Sequence, residues 1–443
     1  MRYSDMLTKT TKILAIILTA GLLSLLSTAC NKSGSDGYNP AEISHFGFDS
    51  FPDFKDYTFY IDHFGSKIYN EDSLPFASDV DSLYPTITAV STNDKITIDG
   101  EAWSSKQYRD WSSGGPFELV NHSEDGLYTK TYRVYVNKHQ VDPDSMQSSL
   151  RAGNYPAYEG EQKVLRQDQG LHCFYVRSAD STLAHYQSAD GINWSAAAEA
   201  TGLEGEVKVA SICTYRDSFY LVNTDGSLFA SGDLINWTKY SSEYKFINLY
   251  GELRGRKHLS NNALIAIVED TATQVRHFAR FEDAWTLGDS VPTDFPVDKY
   301  ASVQSTTVTD IDYLVVTTGL DRTGQYAKST WSTMDGLYWA RISNNQSSDL
   351  LLQGASMFYY DGDLYLLGGK NENGAYHDLY ISENQGINWE LAENRKQLKA
   401  IDEEVVNAQI FCDDAYIYVY GGNSGSDKKM WRACLNRMLF IKK

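Results

Sequence analysis

The sequence predicts an all-β protein with two folded domains. At 443 residues the chain is too long for one compact hydrophobic core. Tyrosine is abundant (31 residues), proline is scarce (9 residues) and long helical periodicity is missing, a composition that favours short strands and many turns. A short turn of Ser, Asp or Asn, Gly and Trp recurs through the last two-thirds of the chain, which indicates a repeat architecture there.

The first segment, residues 1–29, is predicted to be a signal peptide. Lys9 and Lys12 precede an apolar run over 13–26, which is too short to span a bilayer but suits a signal-peptide core. The small residues before Cys30 resemble the lipobox of bacterial lipoproteins, although Ser stands where Leu is usual. The resemblance implies that Cys30 is lipidated and anchors the chain to a membrane. An ordinary signal peptide remains the alternative.

Residues 30–39 are predicted to form a polar tether, and 40–141 an immunoglobulin-like β-sandwich. The tether contains little to bury. The sandwich follows from about seven short strands in roughly 100 residues, including an alternating run after Asp125-Gly126. Candidate strands are 57–61, 85–90, 95–99, 117–120 and 128–136. Polar residues 142–156 are then predicted to be a linker.

Residues 157–443 contain the recurring turn, which we expect between two strands of each repeat. An Asp or Asn side chain accepts hydrogen bonds from its own following backbone, Gly supplies a positive φ, and Trp covers the turn. The predicted structural turn residues are Asp190, Gly191 and Trp194; Asp233 and Trp237; Asp335, Gly336 and Trp339; and Asn384, Gly386 and Trp389. In the third turn Ser332 is taken as the first residue, which leaves its Asp displaced.

The spacing of the tryptophans predicts six repeats. Most intervals are about 40–50 residues, the length of a four-stranded propeller blade. One interval is twice as long, and Trp285 near its centre marks a degenerate unit, while Trp431 marks the last unit. A six-bladed β-propeller is therefore predicted, with five or seven blades as open alternatives.

The Trp turns resemble the Asp-box of sialidases and other secreted propellers. The double glycines that end 364–369 and 417–422 look like those of kelch repeats. The whole layout is similar to a family of two-domain Bacteroidetes lipoproteins of unknown function, on segments 72–75, 85–88, 139–145 and 430–437. The resemblance implies an immunoglobulin-like domain, a C-terminal propeller and a place in the cell envelope. It implies no activity.

Composition and motifs also limit the classes of partner and cofactor. A net charge of −19 argues against nucleic acid, which needs a basic footprint. No spacing of His, Cys or carboxylates indicates a metal site, and no motif indicates another cofactor, so none is expected. Cys173, Cys213, Cys412 and Cys434 are interpreted as buried free thiols, with one disulfide left open.

The sequence favours a binding protein over an enzyme. A sialidase-type hydrolase would need an arginine triad, a tyrosine nucleophile and an acid, and no motif around the arginines matches. The first alternative to a binding protein is a scaffold or accessory subunit of an outer-membrane complex. A sialidase-like glycoside hydrolase is the less favoured alternative. The favoured function is binding of an extracellular glycan or peptide by a lipid-anchored protein, expected at the outer membrane on either face.

The binding face is predicted from strand direction. The Trp turns join the third and fourth strands of each blade, so the loops between the second and third strands lie on the opposite face. Long polar loops are expected over 319–326, 370–377 and 423–427. Their candidate ligand-binding residues are Arg322, Tyr326, Asn371 and Tyr376, because planar polar groups and aromatic rings suit a sugar or peptide.

Overall fold

A computed structural model describes residues 41–91, 95–156, 160–167, 170–177, 181–255, 259, 261–306, 310–343, 350–424 and 427–439. The predicted signal peptide, Cys30 and the tether lie outside the described residues. The chain divides into two compact units with the boundary between Gln140 and Val141. The predicted fold, a β-sandwich domain followed by a six-bladed propeller, is confirmed.

The N-terminal unit contains eight strands in two sheets. They are β1 (Ile43–Gly47), β2 (Phe59–Asp62), β3 (Lys67–Asn70), β4 (Thr86–Ala89), β5 (Lys95–Ile98), β6 (Glu101–Ala102), β7 (Phe117–His122) and β8 (Thr129–Tyr135). Strands β1 and β4 form one sheet, and the other has the order β2-β3-β8-β7-β5-β6. All pairs are antiparallel except β3 with β8. The five candidate strands of the sequence coincide with β2, β4, β5, β7 and β8.

The core of this unit is aromatic and is shared by both sheets. Phe46 of β1 packs edge-on against Phe59 of β2, with ring centroids 5.1 Å apart, and against Trp111. Trp111 is buried and its indole N–H donates to the Leu83 carbonyl at 3.1 Å. Apolar side chains at alternate positions of each strand supply the rest of the core, as a two-sheet arrangement requires.

The C-terminal unit consists of six four-stranded antiparallel sheets, each a propeller blade. Blade 1 contains β10 (Gln162–Gln167), β11 (Gly170–Val176), β12 (Leu183–Ser188) and β13 (Ala198–Glu199). Blade 2 contains β14 (Cys213–Tyr215), β15 (Ser218–Val222), β16 (Leu228–Ser231) and β17 (Thr238–Lys239). Blade 3 contains β18 (Tyr244–Leu253), β19 (Ala263–Asp270), β20 (Arg276–Phe281) and β21 (Trp285–Ser290). Blade 4 contains β22 (Ala301–Thr306), β23 (Asp312–Thr317), β24 (Trp331–Thr333) and β25 (Ala340–Arg341). Blade 5 contains β26 (Ser356–Tyr360), β27 (Asp363–Asn371), β28 (Gly374–Ser382) and β29 (Glu390–Leu391). Blade 6 contains β30 (Gln409–Cys412), β31 (Ile417–Tyr420), β32 (Met430–Leu435) and β9 (Met146–Arg151). Among the described residues, 3-10 helices span Val209–Ser211, between blades 1 and 2, and Asn436–Leu439, directly after β32.

The ring closes through a strand where the sequence predicts a linker. β9 is the outer strand of blade 6 and pairs antiparallel with β32, in a register that sets Leu150 opposite Trp431. The prediction that 142–156 is only a linker is therefore wrong. A solvated edge strand carries little apolar signal, and Leu150 itself is exposed. Joining the two ends of the propeller in one sheet removes an open edge.

Each blade packs its sheet face against the next blade, so the core is a ring of apolar clusters. One cluster, for example, places Phe174 of blade 1 against Phe219 of blade 2. The four described cysteines are free thiols, three of them buried. Among the described residues, no helix has the length and apolar character that crossing a membrane requires.

Candidate functional site

The Trp turn of blade 1 is a closed network of local hydrogen bonds. One carboxylate oxygen of Asp190 accepts from the backbone N–H groups of Ile192 and Asn193, both at 2.8 Å. The Ser188 hydroxyl accepts from the Gly191 N–H at 2.9 Å and donates to Asp190 at 3.0 Å. The backbone N–H groups of Asn193 and Ile192 hold the pKa of Asp190 well below its usual range. The polar groups of the turn thus hydrogen-bond to one another, which leaves no carboxylate of the turn for chemistry.

The other predicted turns repeat this network. Asp233 accepts from the backbone of Ile235 and Asn236 at 3.0 and 2.8 Å. In blade 5, Asn384 accepts from the Asn388 N–H at 2.8 Å, so an amide oxygen replaces the carboxylate. Trp194 and Trp237 are buried, with 5% and 3% of their surface exposed. These contacts support the structural role assigned to the turns.

The turn of blade 4 begins one residue later than predicted. Its hydroxyl comes from Thr333, which accepts from the Gly336 N–H at 2.8 Å and donates to Asp335 at 3.2 Å. Ser332 lies one residue earlier, in β24. Counted from Thr333, the turn has the same length as those of blades 1 and 2, so its Asp is not displaced.

The two tryptophans outside complete turns also occupy defined positions. Trp285 begins β21, the fourth strand of blade 3, and packs against Phe246 and Phe281 with centroids 5.0 and 5.1 Å away. Trp431 lies within β32, the third strand of blade 6, and its indole N–H donates to the Ala400 carbonyl at 3.0 Å. Blade 3 is therefore complete despite its weak turn.

Strand direction separates the two faces of the propeller. In blades 1 to 5 the Trp turn, or its remnant, joins the third and fourth strands, so the connections between the second and third strands lie on the opposite face, here termed the 2–3 face. Isolated bridges recur there: Val207 pairs with Asn223, Asp298 with Leu320, and Val405 with Asn423. Each joins the chain entering a blade to the end of its second strand. The entry to every innermost strand therefore lies at the 2–3 face.

The six innermost strands surround a central cavity of about 940 Å³. All six blades contribute to its wall, through 160–165, 207–214, 247–252, 297–304, 355–357 and 407–410. Polar side chains, among them Thr214, Ser302 and Gln409, alternate with apolar ones along these strands. The cavity is large enough for a small polar ligand.

Charged side chains gather where the innermost strands begin. Glu161, Glu206 and Asp298 are exposed, and Lys208 and Lys299 lie among them. Although Glu161 retains contact with solvent, partial burial raises its pKa, and the Asp298 carboxylate adds to this effect. Burial lowers the pKa of Lys208, whose ammonium donates to the Ile247 carbonyl at 2.9 Å. The mouth at the 2–3 face thus presents both signs of charge.

Two predicted ligand residues, Arg322 and Tyr326, lie on the loop between β23 and β24. The Arg322 guanidinium donates to the Thr293 hydroxyl at 2.7 Å, and Arg322 is exposed. The Tyr326 hydroxyl accepts from the Gln353 amide at 3.4 Å, and Gln353 pairs with Lys370 of the next blade. Both predicted residues lie on the predicted face.

Asn371 and Tyr376 lie on blade 5, in strands rather than in a long loop. β27 extends through Asn371 and β28 starts at Gly374, so the prediction of a loop over 370–377 is wrong. The Tyr376 hydroxyl donates to the Asn371 amide oxygen at 3.0 Å. Tyr376 lines a second cavity of about 430 Å³, together with acidic residues such as Asp378 and Glu404. The third loop, 423–427, lies partly outside the described residues.

The residues of the central cavity were not among those predicted from sequence. Lys163, Cys213 and Tyr300 come from blades 1, 2 and 4 and all line it. A local signal was present, because Glu161-Gln-Lys163 and Glu206-Val-Lys208 repeat at the entries to two blades. Such short patterns indicate a shared site only once the strands are known to surround one axis.

No metal-binding constellation emerges from the described part of the chain. Within it, no three His, Cys, Asp or Glu side chains are grouped so as to hold a metal ion. Burial raises the pKa of the Cys213 thiol to about 12, so this group is a neutral thiol rather than a nucleophilic thiolate. The arrangement is suited to binding by hydrogen bonds, ring contacts and charge.

Comparisons with known proteins place the chain in a family. Among solved structures, that of YjhT has 10% sequence identity and a TM-score of 0.40, covering 62% of this chain and 93% of its own. No curated protein matches the chain. The model of the DUF6242 N-terminal domain, a domain of unknown function, matches residues 28–136. The DUF6242 beta propeller domain matches residues 142–443. The chain therefore belongs to the two-domain DUF6242 family.

Proposed function

We propose that this protein is a non-catalytic, lipid-anchored envelope protein whose propeller binds an extracellular glycan or peptide at the 2–3 face. The observation that supports binding there is the central cavity, which all six blades line and which opens among charged residues at that face. The opposite face carries the Trp turns, whose polar groups hydrogen-bond within the turn itself. Rigid strand ends around a polar concavity are a common setting for ligand recognition.

The neighbouring surface extends this site outward. Tyr326 is tied to Gln353, which precedes the innermost strand of blade 5, so the loop of blade 4 reaches the rim of the cavity. Arg322 offers donors on the same loop, and the Asn371–Tyr376 pair offers an amide and a ring on blade 5. We propose these four residues as outer contacts of the ligand.

Glycan and peptide arrays test the proposed binding. Full-length protein purified in detergent should bind a defined set of glycans or peptides. Arg322→Ala, Tyr326→Ala, Asn371→Ala and Tyr376→Ala should weaken that binding without lowering the melting temperature. Asn193→Ala, beside a Trp turn on the other face, should leave binding intact. Loss of binding in Asn193→Ala alone would show that the ligand binds the Trp-turn face rather than the 2–3 face. If the protein binds nothing on the arrays but co-purifies with envelope proteins, a scaffold role would be favoured.

Anchoring has its own test, because it depends on Cys30 alone. The Cys30→Ala variant should lose lipid labelling and move from the membrane fraction to the soluble fraction. Ser27→Ala, which leaves Cys30 in place, is the matched control and should remain membrane-bound. Lipid labelling that persists in Cys30→Ala would reject this anchor while leaving the binding proposal untouched.

A further inference from the structure

Lys163 is a cation inside the propeller without a partner. It lies in β10, the innermost strand of blade 1, and lines the central cavity. Within the described residues its ammonium makes no hydrogen bond or ion pair. Two other cations of the cavity wall do have partners: the Arg177 guanidinium lies 2.7 Å from Glu199, and Lys208 donates to a carbonyl.

No carboxylate among the described residues pairs with Lys163. Burial lowers its pKa, and the nearby ionisable group that acts on it is the Cys213 thiol. That thiol is itself neutral at physiological pH because burial raises its pKa to about 12. Lys163 is half-buried, and an ammonium in such a site without a counter-ion is costly, so a bound anion would remove that cost.

Tyr300 provides a fixed aromatic wall in the same cavity. Its ring stacks on that of Tyr250, with centroids 4.8 Å apart and an interplanar angle of 29°. Its hydroxyl donates to the Leu249 carbonyl at 3.3 Å, which fixes the ring in place. The Tyr300 ring and Lys163 both line this one cavity, so a single wall surrounds them. A ligand could place an apolar face on this ring.

We propose that the ammonium of Lys163 binds a carboxylate of the ligand within the central cavity. This inference rests on the proposed function and specifies its ligand class. The ligand carries one carboxylate on an otherwise neutral body. Polyanions are disfavoured because the carboxylates of Glu161, Glu206 and Asp298 line the mouth, beside the cations of Lys208 and Lys299. A sugar acid and the C-terminus of a peptide share this chemistry.

Titration of the full-length protein with small carboxylates tests the inference. The probes are glucuronate for a sugar acid and N-acetylalanine for a peptide end. Glucose and N-acetylalaninamide are their uncharged counterparts. Calorimetry or NMR should show binding of at least one carboxylate and at least about tenfold weaker binding of its uncharged counterpart. The carboxylate that binds identifies the source.

Variants then connect this binding to Lys163. Lys163→Met should weaken carboxylate binding at least about tenfold, whereas Lys399→Met, which removes an exposed lysine outside the cavity, should leave it unchanged. Lys163→Gln is the second variant, in case Lys163→Met lowers the melting temperature. Equal binding of charged and neutral probes, equal binding in wild type and both Lys163 variants, or no binding of either carboxylate would overturn the inference.

The outcomes separate this inference from the proposed function. Array ligands that bind at the 2–3 face but lack a carboxylate would overturn the role of Lys163 and leave the binding function standing. If no ligand binds on the arrays and no carboxylate binds in the titrations, both the binding function and the role of Lys163 would be overturned. Carboxylate binding that depends on Lys163 would support both.

Discussion

The side-chain amide of Gln162, in the first blade, donates to the carbonyl of Tyr420, in the last blade, at 2.8 Å. Its oxygen accepts the hydroxyls of Tyr155 and Tyr175, and its amide also donates to the Asn407 carbonyl at 3.2 Å, so one buried side chain joins four partners at the closure of the ring. The closing strand β9 lies in the same last blade. The two ends of the propeller are thus held by a side-chain network as well as by a shared sheet.

We predict that Gln162→Met destabilises the propeller by about 2–4 kcal/mol, because it leaves two buried hydroxyls and two carbonyls without this partner. Denaturant unfolding would measure the change. The exposed Gln187, on β12, gives the matched control Gln187→Met, which should alter stability by less than about 0.5 kcal/mol. Equal stability of both variants would show that the Gln162 network contributes nothing to closure.

The register of β9 can be tested with a cross-link. Gln147 lies directly opposite Cys434 in the β9–β32 pair, within the distance range that a disulfide spans. Gln147→Cys should therefore form a disulfide with Cys434 under mild oxidation and raise stability by up to about 4 kcal/mol. Mass spectrometry would detect the bond. Ser148→Cys faces Ala433 and should form none. Cross-linking of Ser148→Cys but not Gln147→Cys would show a shifted register.

The Trp turn of blade 1 should depend on the space beside Gly191. Gly191 has a φ of 68°, and an added Cβ would lie 2.3 Å from the Tyr420 hydroxyl and 3.0 Å from Leu171. Gly362 also has a positive φ, of 92°, but nothing lies near an added Cβ there. Gly191→Ala should thus cost at least about 1 kcal/mol more than Gly362→Ala, since both share the backbone strain. Equal melting temperatures would indicate that the turn is open rather than packed.

A buried histidine pair predicts a dependence of stability on pH. Burial, with a smaller contribution from His172, lowers the pKa of His185 from 6.5 to about 4. The rings stack, with Nδ1 of His172 3.1 Å from Nε2 of His185, and Phe174 stacks on the other side. Between these pH values the unfolded chain binds a proton that the folded protein does not. The free energy of unfolding should therefore fall by about 2 kcal/mol as pH decreases from 6.5 to 4.

Denaturant unfolding of His185→Phe across this pH range measures that contribution. The variant should lose much of the decrease, while His377→Phe, at an exposed histidine of blade 5, should keep it. An identical pH profile in wild type and His185→Phe would mean that His185 titrates equally in the folded and unfolded states.

The features predicted from sequence are those whose cause is local. Asp190 and Asp233 accept from N–H groups two and three residues later, so the turns and the blade count could be read from short segments. Strand β9 could not be predicted in this way, because its partner β32 lies at the other end of the chain and its own exposed residues lack an apolar pattern. The cavity was missed for the same reason. Lys163 and Tyr300 line one cavity only because the blades close into a ring.

Plugging the cavity tests the proposed function most directly. Ser302 lies on β22 in the cavity wall, so Ser302→Trp would fill the cavity with a large side chain. We predict that this variant keeps the melting temperature of the wild type within a few degrees and loses the array ligands that the wild type binds. Asn193→Ala should keep them. Undiminished binding of those ligands by a folded Ser302→Trp variant would contradict the claim that the propeller binds its ligand through the central cavity.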